Sequence, residues 1–483
     1  MKQLQEIKTL VFGLVMLLGA EASAARDVTF EINVTERLQR LEGWGVSLCW
    51  WAGQCGRWDE AKLDTLLHWI ADKDGLNYNV FRYNIPGGDD PENRHCDPHH
   101  MGRGKGLRAE MEGFKTSAKG KYRWEADAPQ RRVLLKLREL RPNDLLVEAF
   151  SNTPPYYMTV SGCAAGHDDA GKDNLREDCR KEFCRYLVDV CKHYKRQYGM
   201  EFHSLEPFNE PQTSYWNRNG SQEGCHFDVT TMTDVSRILS RMMKKARLKT
   251  RLAVTDETSV RQSVKAFDAF DAFQTRRDVM ARVGQWNTHT YEADSLSRVE
   301  LRERTKQAGM PLWMSETGAG GNGLEGNLRL SQRLMDDLKQ LQPVVWCDWQ
   351  VMEENNDQWC TVRGNFKDET FHRVKNYYVR MQVTRFIKQG YTMLRVDDPH
   401  SIAAVSPDGK EIVLVSQNNS NKKINYCISL STLKTSALKG IERYITDERH
   451  NCTKLTPSGH VRDGMLTYTL PKQSISTFVI TTE

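Results

Sequence analysis

The sequence predicts an α/β protein: a (β/α)₈ TIM barrel with a tightly packed C-terminal antiparallel β-sandwich. Short apolar runs of β-forming residues alternate with helical patterns over most of the 483 residues, and β-rich sequence replaces this alternation near the C-terminus. Strands that alternate with helices form a parallel sheet, and eight such units close a barrel. The eight runs begin near Gly43, Asn79, Leu145, Ser204, Arg251, Gly284, Pro311 and Val344.

Helical patterns lie between many of these runs. Apolar residues recur at the spacing of one helix face over residues 133–140 and 183–194. A third helix is expected to open at Thr231, because Thr231-x-x-Asp234 resembles a capping box. These helices supply the crossover connections that parallel strands require.

After about Tyr391 the pattern changes to short alternating runs. Ser406-Pro407-Asp408-Gly409 is a turn signal, and residues 412–416, 465–470 and 475–481 are typical of strands. Residues 28–34 alternate in the same way, so we expect them to add a strand to the same sandwich. No low-complexity linker separates the two modules, which indicates that they pack tightly.

The N-terminus has the pattern of a signal peptide. Lys2 and Lys8 precede an apolar run over residues 10–20, and Ala22-Ser23-Ala24 gives a small-x-small cleavage site. We therefore expect an exported protein, secreted or periplasmic. The predicted organisation is a signal peptide at 1–24, an N-terminal strand joining the sandwich at 25–39, the barrel at 40–390 and the β-sandwich at 391–483.

The charge balance argues against a nucleic-acid partner. Lys and Arg number 68 and Asp and Glu 63, a net charge of +5 spread over the whole chain. The densest basic run, residues 241–251, continues an amphipathic helix, where charge on the solvated face is ordinary. No later stretch approaches transmembrane length. We expect no nucleic acid, no membrane association after signal cleavage, and a monomer.

Twelve cysteines in an exported chain permit disulfides. Their connectivity cannot be read from the sequence, and Cys49 with Cys55 and Cys163 with Cys179 are candidates for loop bridges.

One loop contains a group of residues that resembles a metal site. His95, Cys96, His99 and His100 lie close together in sequence, but their spacing lacks the pattern of tetrahedral ligands. We expect no bound metal and no cofactor.

Two of the runs end in a segment that contains glutamate. The fourth ends in Glu206-Pro-Phe-Asn-Glu210-Pro and the seventh in Trp313-Met-Ser-Glu316-Thr-Gly. Barrel enzymes place functional groups at the carboxyl ends of strands, so Glu210 and Glu316 are expected to face each other across the mouth. Two such carboxyls equip a site for glycoside hydrolysis: one protonates the leaving oxygen, and the other attacks the anomeric carbon or activates water.

These motifs make the chain resemble the retaining (β/α)₈ glycosidases and, among them, glycoside hydrolase family 30. The likeness runs from about Thr29 to the C-terminus and is closest to the endo-β-1,6-galactanase-type members. Besides the glutamate at the end of the seventh run, it is carried by residues 43–52, 82–85, 151–158, 208–211 and 222–227.

The resemblance implies a secreted retaining hydrolase that cleaves β-1,6-galactan, as in arabinogalactan side chains, by double displacement. It leaves related substrates open: β-1,6-glucan, xylan, glucosylceramide or terminal β-galactosides. A non-catalytic carbohydrate-binding protein on the same barrel is the alternative from another class, and the presence of both glutamates argues against it.

The resemblance also implies roles for individual residues. It makes Glu210 the general acid/base and Glu316 the nucleophile. It places Arg82 beside Glu316, where a guanidinium favours the ionised carboxylate. Asn209 is expected to hydrogen-bond the sugar 2-hydroxyl, an interaction that strengthens in the transition state.

Further binding or supporting residues are expected at other strand ends. His289 and Tyr291 end the sixth run and would orient the nucleophile or the sugar. Aromatic faces present an apolar surface to pyranose rings, although core packing is the alternative for many of the 12 tryptophans. The remaining candidates are Trp50, Trp51, Asn152, Trp216 and Trp349.

Several other carboxylates compete for a place in the site. Glu206 precedes Glu210 by four residues on the same strand parity, and could point into the barrel and pair with Arg82. The others, which could bind sugar hydroxyls or form structural ion pairs, are Asp256, Glu257, Glu353 and Glu354.

Overall fold

The computed structural model describes residues 26–88, 90, 111–272, 279–432, 438–456 and 459–483. The predicted signal peptide and the group His95, Cys96, His99 and His100 lie outside them. Two strands, β1 (Arg26–Glu31) and β2 (Arg37–Arg40), precede a closed barrel of eight parallel strands, as predicted. The barrel strands are β3 (Gly43–Ser47), β4 (Val80–Asn84), β5 (Leu146–Phe150), β6 (Ser204–Glu206), β7 (Arg251–Ser259), β8 (Val283–Glu292), β9 (Leu312–Glu316) and β10 (Val345–Asp348).

Helices follow most barrel strands and pack their apolar stripes against the sheet. Their bounds are α1 (Trp51–Cys55), α2 (Glu60–Ala71), α3 (Ala128–Leu140), α4 (Arg180–Tyr198), α5 (Val229–Lys245), α6 (Val260–Ala272), α7 (Ser295–Gln307), α8 (Gly323–Asp336) and α9 (Lys375–Thr384). Local chemistry sets several ends. The Asp59 side chain accepts a hydrogen bond from the Ala61 amide at 3.0 Å and caps α2. Gly199 ends α4 at φ 61°, where a side chain would be unfavourable.

Helix α5 begins earlier than the capping-box pattern predicts. Asp228 is its N-cap, and Thr231 lies buried within the first turn. Asp173, 55 residues earlier in the chain, accepts the hydrogen bond of the Asp228 amide. The start of this helix therefore depends on a tertiary contact that no local motif reveals.

The C-terminal strands form the predicted sandwich beside the barrel. Its strands after the barrel are β14 (Thr392–Leu394), β15 (Ser401–Val405), β16 (Glu411–Asn418), β17 (Ile424–Ser429), β18 (Leu438–Thr446), β19 (Thr453–Leu455), β20 (His460–Arg462), β21 (Met465–Leu470) and β22 (Ser474–Thr482). A four-stranded sheet has the order β1-β17-β21-β20, and a seven-stranded sheet has the order β19-β18-β22-β16-β15-β14-β2. A small sheet of β11 (Met352–Glu353), β12 (Val362–Asn365) and β13 (Thr370–Arg373) lies in the loop after β10.

One pairing in the sandwich is not antiparallel. Strand β1 pairs with β17 in parallel, from Arg26 opposite Ile424 to Glu31 opposite Ser429. A parallel pair needs a long connection between its strands, and the whole barrel supplies it here.

The seven-stranded sheet is buried on both faces. On β16, Val413 and Val415 belong to the large apolar core that includes the barrel, whereas Ile412 and Leu414 belong to the interior of the sandwich. Successive residues of a strand point to opposite faces, so this sheet is a shared wall between the two modules.

Neither candidate disulfide forms. Cys49, Cys55 and Cys179 are free buried thiols, and Cys163 is disulfide-bonded. The Cys49 sulfur accepts a hydrogen bond from Asn152 at 3.5 Å, while the Cys55 sulfur lies 3.8 Å from the Met352 sulfur, so the two thiols face different neighbours.

Within the described ranges, no helix is both long and apolar enough to cross a membrane.

We expect that truncation after Gly390 produces insoluble protein. The truncation removes the shared wall and exposes the apolar barrel surface beneath it, and large exposed apolar patches promote aggregation. Solubility and size-exclusion profiles of the truncated and full chains would measure this. A soluble and active barrel spanning residues 40–390 would show instead that the two modules are independent.

Candidate active site

The barrel brings the carboxyl ends of its strands to one mouth, where polar side chains crowd together. Arg82 lies on β4, His289 on β8 and Glu316 at the end of β9, while Glu210 lies in the loop after β6. His289 and Glu316 stand opposite each other in the β8–β9 register. The barrel thus gathers the residues predicted at the ends of four separate runs.

Arg82 is at the centre of this cluster. Its fully buried guanidinium pairs with three carboxylates: Nε lies 2.9 Å from Glu148 Oε1, Nη1 lies 3.0 Å from Glu316 Oε2, and Nη2 contacts Asp256. The Phe150 ring centre lies 4.1 Å from the guanidinium carbon. A buried charge persists only when it is paired, so these three carboxylates and Arg82 stabilise one another. The predicted contact between Arg82 and Glu316 is present.

Glu148 anchors Arg82 to the neighbouring strands. Arg82, Glu148 and Ser204 are register partners on β4, β5 and β6. Glu148 Oε2 accepts hydrogen bonds from Ser204 Oγ at 2.8 Å, Gln285 Nε2 at 2.8 Å and Asn287 Nδ2 at 2.9 Å. Because the carboxylate is held by these donors, Arg82 has little freedom to move.

His289 is a second buried cation. Its Nδ1 lies 3.1 Å from Glu210 Oε1 and 3.7 Å from Glu316 Oε1, and its Nε2 lies 3.1 Å from Asp256 Oδ1. Burial alone would lower the pKa of His289, but Glu316 and Asp256 outweigh burial and raise the pKa to about 10. The imidazole is therefore charged at neutral pH, when both ring nitrogens are donors. It links Glu210 to Glu316.

Hydrogen bonds to the backbone and to both carboxyl oxygens hold Glu210 in place. The residue has φ 48°, a left-handed conformation that is uncommon outside glycine, and its amide donates to Asp256 O at 2.8 Å. Trp216 Nε1 donates to the Glu210 carbonyl at 2.9 Å. Oε1 faces His289, and Oε2 accepts a hydrogen bond from the Tyr215 hydroxyl. The carboxyl group is thus fixed at the mouth.

Glu316 is surrounded by donors and lies close to Glu210. Tyr291 donates to Glu316 Oε1 at 2.8 Å, and Arg82 occupies the other oxygen. Burial raises the pKa of Glu316 to about 7, although His289 and Arg82 both act to lower it. The two cations therefore offset the burial only in part. One oxygen of Glu210 and one of Glu316 lie within 4.8 Å of each other and of a His289 ring nitrogen.

A cavity of about 290 Å³ opens above the two glutamates. Five residues predicted from sequence line it, and so do five others that were not predicted. The first group is Asn209, Glu210, Tyr291, Glu316 and Trp349; the second is Tyr215, Gln222, Thr258, Gln350 and Trp359.

The other aromatic and amide candidates lie outside the cavity lining. Trp51 is fully buried in the core, with Nε1 donating to Ser47 O at 2.9 Å, so its face is not available to a sugar. Trp50 is buried behind Trp349, edge to face at 6.1 Å. Trp216 is buried and supports Glu210. The last candidate, Asn152, is buried against Asn84 and Cys49.

The competing carboxylates fall into three groups. Asp256 is an ion-pair partner of Arg82, and although burial opposes ionisation, Arg82 and His289 hold its pKa at about 2. Glu206 was expected to pair with Arg82, but Glu148 occupies that place among the described residues, and burial raises the pKa of Glu206 well above its usual range. Burial likewise raises the pKa of Glu257 to about 8. Glu353 and Glu354 accept hydrogen bonds within the loop after β10, from Gln350 Nε2 and the Phe366 amide.

Two groups among the described residues have three ligand-type atoms close together. One is Glu210, His289 and Glu316, where His289 Nδ1 is hydrogen-bonded to Glu210 Oε1 at 3.1 Å. The other is Asp173, His226 and Asp228, at the start of α5. There Asp173 already accepts the hydrogen bond of the Asp228 amide, so helix capping accounts for its position.

Sequence reasoning missed several cavity residues because they lie in loops. Trp359 and Gln350 come from the loop after β10, and Tyr215 and Gln222 from the loop after β6. The position of a loop side chain depends on the path of the loop. The signal that could have found them is closeness in sequence to residues already singled out. Tyr215 lies five residues after Glu210, and Gln222 is the first residue of a segment that carried the family resemblance.

Two close carboxyls at the mouth of a parallel (β/α)₈ barrel, backed by a buried arginine and histidine, define a glycoside hydrolase of the barrel class. The family model of O-glycosyl hydrolase family 30 matches residues 27–297. The chain belongs to this family, and the predicted resemblance is confirmed.

Relatives and solved structures agree with this assignment. The chain is 30% identical over 414 residues to an endo-β-1,6-galactanase of Hypocrea rufa, covering 82% of each chain. It is 23% identical to an exo-β-1,6-galactobiohydrolase of Bifidobacterium longum, covering 84% of this chain and 35% of that protein. The crystal structure of a conserved exported protein from Bacteroides fragilis has the same fold, with a TM-score of 0.76 at 18% identity over 94% of this chain and 100% of the other.

We expect Glu257→Gln to stabilise the protein increasingly as the pH rises. The pKa of Glu257 in the folded state, about 8, exceeds the unfolded value of 4.5, so the folded state retains a proton that the unfolded state releases between these values. Stability from this group therefore falls as the pH rises from about 4.5 to 8, by at most roughly 5 kcal/mol at about 1.4 kcal/mol per pKa unit. Glutamine does not titrate and avoids this loss.

The measurement is chemical unfolding of both proteins at pH 4 and pH 9. The comparison at pH 4 is the internal control, because there the carboxyl is mostly neutral in both states. A stability difference between variant and wild type that does not change with pH would contradict this assignment of Glu257.

Proposed function

We propose that this chain is an exported retaining glycosidase that cleaves β-1,6-galactan, with Glu210 as general acid/base and Glu316 as nucleophile. The observation that carries the chemistry is the carboxyl pair of Glu210 and Glu316, with oxygens within 4.8 Å of each other. Retaining enzymes hold their carboxyl groups about 5–5.5 Å apart, whereas inverting enzymes need about 6.5–9.5 Å to admit a water.

In the first step, Glu316 attacks the anomeric carbon and the bond from that carbon to the glycosidic oxygen breaks. Glu210 donates its proton to this oxygen, so the leaving sugar departs as an alcohol. In the second step, Glu210 takes a proton from water, the water oxygen bonds to the anomeric carbon, and Glu316 is released. The first step therefore requires a proton on Glu210 and a negative charge on Glu316.

The surrounding residues have supporting roles in this proposal. Arg82 and Tyr291 hold the two oxygens of Glu316 in the attacking orientation. His289 donates to Glu210 and stabilises negative charge on both glutamates. Asn209 lines the cavity beside Glu210, and its Oδ1 is buried without a partner among the described residues, which suits a sugar hydroxyl.

The two relatives support the choice of substrate. Both names specify β-1,6 linkages of galactose: one relative is an endo-β-1,6-galactanase and the other an exo-β-1,6-galactobiohydrolase. The N-terminal signal pattern supports export.

The substrate is tested by incubating the enzyme separately with β-1,6-galactan, β-1,3-galactan, β-1,6-glucan and xylan. We expect hydrolysis of β-1,6-galactan alone, with products of mixed length if the action is endo. Degradation of xylan or β-1,6-glucan with galactan left intact would contradict the proposal. Binding of galactan without release of reducing ends would favour a carbohydrate-binding protein.

We expect Glu210→Gln to lose activity on galactan by at least about 100-fold, because the leaving sugar then departs without a proton. The rate of the first step should be largely retained on activated aryl β-galactosides, because their leaving groups need no protonation. Added azide should restore turnover and yield a β-galactosyl azide, identified by NMR.

Glu206→Gln is the matched control, since burial keeps this nearby carboxyl neutral and the amide can still accept the hydrogen bond of the Phe208 amide. Wild-type activity of Glu210→Gln on galactan would refute its role as the general acid.

A further inference from the structure

Tyr215 has two properties that the mechanism above does not use. Its hydroxyl donates to Glu210 Oε2, and the residue is 45% exposed, the most exposed aromatic of the cavity lining. A tyrosine that contacts the general acid and also faces solvent can act on both the acid and the substrate.

The two oxygens of Glu210 face different parts of the cavity. Oε1 faces His289, which also approaches Glu316, so this oxygen lies toward the nucleophile. Oε2 faces Tyr215, which is exposed at the edge of the cavity. The general acid must deliver its proton to the oxygen that joins the cleaved sugar to the leaving sugar. The group beside the outer oxygen is therefore placed to meet the leaving sugar.

The loop that carries Tyr215 is rigidly supported. The ring of Trp216 lies 4.5 Å from the Tyr215 ring at a steep angle, and its Nε1 is bonded to the Glu210 carbonyl at 2.9 Å. A Cβ at Gly224 would come within 2.1 Å of the Trp216 ring, so only glycine allows this packing. Thr258 Oγ1 lies 3.4 Å from the Tyr215 hydroxyl. These contacts fix the hydroxyl relative to the Glu210 carboxyl.

We propose that Tyr215 is a positioning residue for the general acid and that its ring is the platform for the leaving-group sugar. The hydroxyl holds the Glu210 carboxyl in the orientation that reaches the glycosidic oxygen. The ring offers an apolar face to the first sugar on the leaving side. This inference rests on the proposed assignment of Glu210 as the general acid.

The positioning role is tested with Tyr215→Phe, which removes the hydroxyl and keeps the ring. We expect kcat/KM on β-1,6-galactan to fall on the order of tenfold to a hundredfold, because a misplaced acid protonates the leaving oxygen poorly. On 2,4-dinitrophenyl β-galactoside, kcat/KM should stay within about threefold, since this leaving group needs no proton. A purely structural role would lower both values equally.

The control is Tyr444→Phe, which removes a hydroxyl bonded to a carboxylate in the sandwich, Glu442, at 2.8 Å. Both activities of this variant should match the wild type. If Tyr215→Phe lost kcat/KM equally on the two substrates, or lost none on galactan, the positioning role would be overturned.

The platform role is tested by comparing Tyr215→Ala with Tyr215→Phe in transglycosylation. In a retaining enzyme, an acceptor sugar bound on the leaving side can replace water in the second step. With methyl β-galactoside as acceptor, Tyr215→Phe should keep its ratio of transfer to hydrolysis, and Tyr215→Ala should lose most of it. Equal ratios in the two variants would exclude the ring as a platform.

The outcomes for Tyr215 and for the proposed substrate are distinguishable. If the wild type ignores β-1,6-galactan but cleaves another glycan, the substrate proposal fails. The activities of Tyr215→Phe on that glycan and on the activated aryl glycoside of the same sugar then test the role of Tyr215 in the same way.

Discussion

The site depends on one electrostatic constraint: the guanidinium of Arg82 is buried in the interior of the barrel, without access to solvent. Arg82 is fully buried, and it is matched by carboxylates from β5, β7 and β9. An uncompensated buried charge would cost several kcal/mol, so the fold is stable only if these strands bring their carboxylates to the same point. Glu316 is one of the three, and its position follows from the pairing that keeps Arg82 in the interior.

A second cation extends this constraint to the other side of the mouth. His289 stands between Glu210, Glu316 and Asp256, and the carboxylates keep it charged. Two cations cannot neutralise every carboxyl nearby, and burial opposes the ionisation of each carboxyl. Burial raises the pKa of Glu316 to about 7 despite Arg82 and His289, raises that of Glu257 to about 8 and raises that of Glu206 well above its usual range. Asp256 contacts both cations, and its pKa is held at about 2. The buried carboxyls of the site thus differ in how strongly they hold a proton.

The architecture could be predicted from the sequence because the spacing of apolar residues shows which face of each helix or strand is buried. Eight β-rich runs separated by helical patterns become the eight barrel strands, and glutamates at the ends of two of these runs meet at the mouth. Sequence was weaker where a neighbour distant in the chain decides the outcome. Trp50 and Trp51 are good candidates from their position in the sequence, yet both are buried, Trp51 in the core and Trp50 behind Trp349. The start of α5 depends on Asp173, and the cavity positions of Tyr215 and Trp359 depend on the paths of their loops.

The central claim is that Arg82 and His289 present Glu316 to the anomeric carbon as a nucleophile. Covalent labelling with 2,4-dinitrophenyl 2-deoxy-2-fluoro-β-galactoside tests it directly, because the fluorine slows the second step and traps the intermediate. The account predicts one label per chain, located on Glu316 by mass spectrometry of the digested protein. A label on Glu210, Glu206 or Glu257 would contradict it.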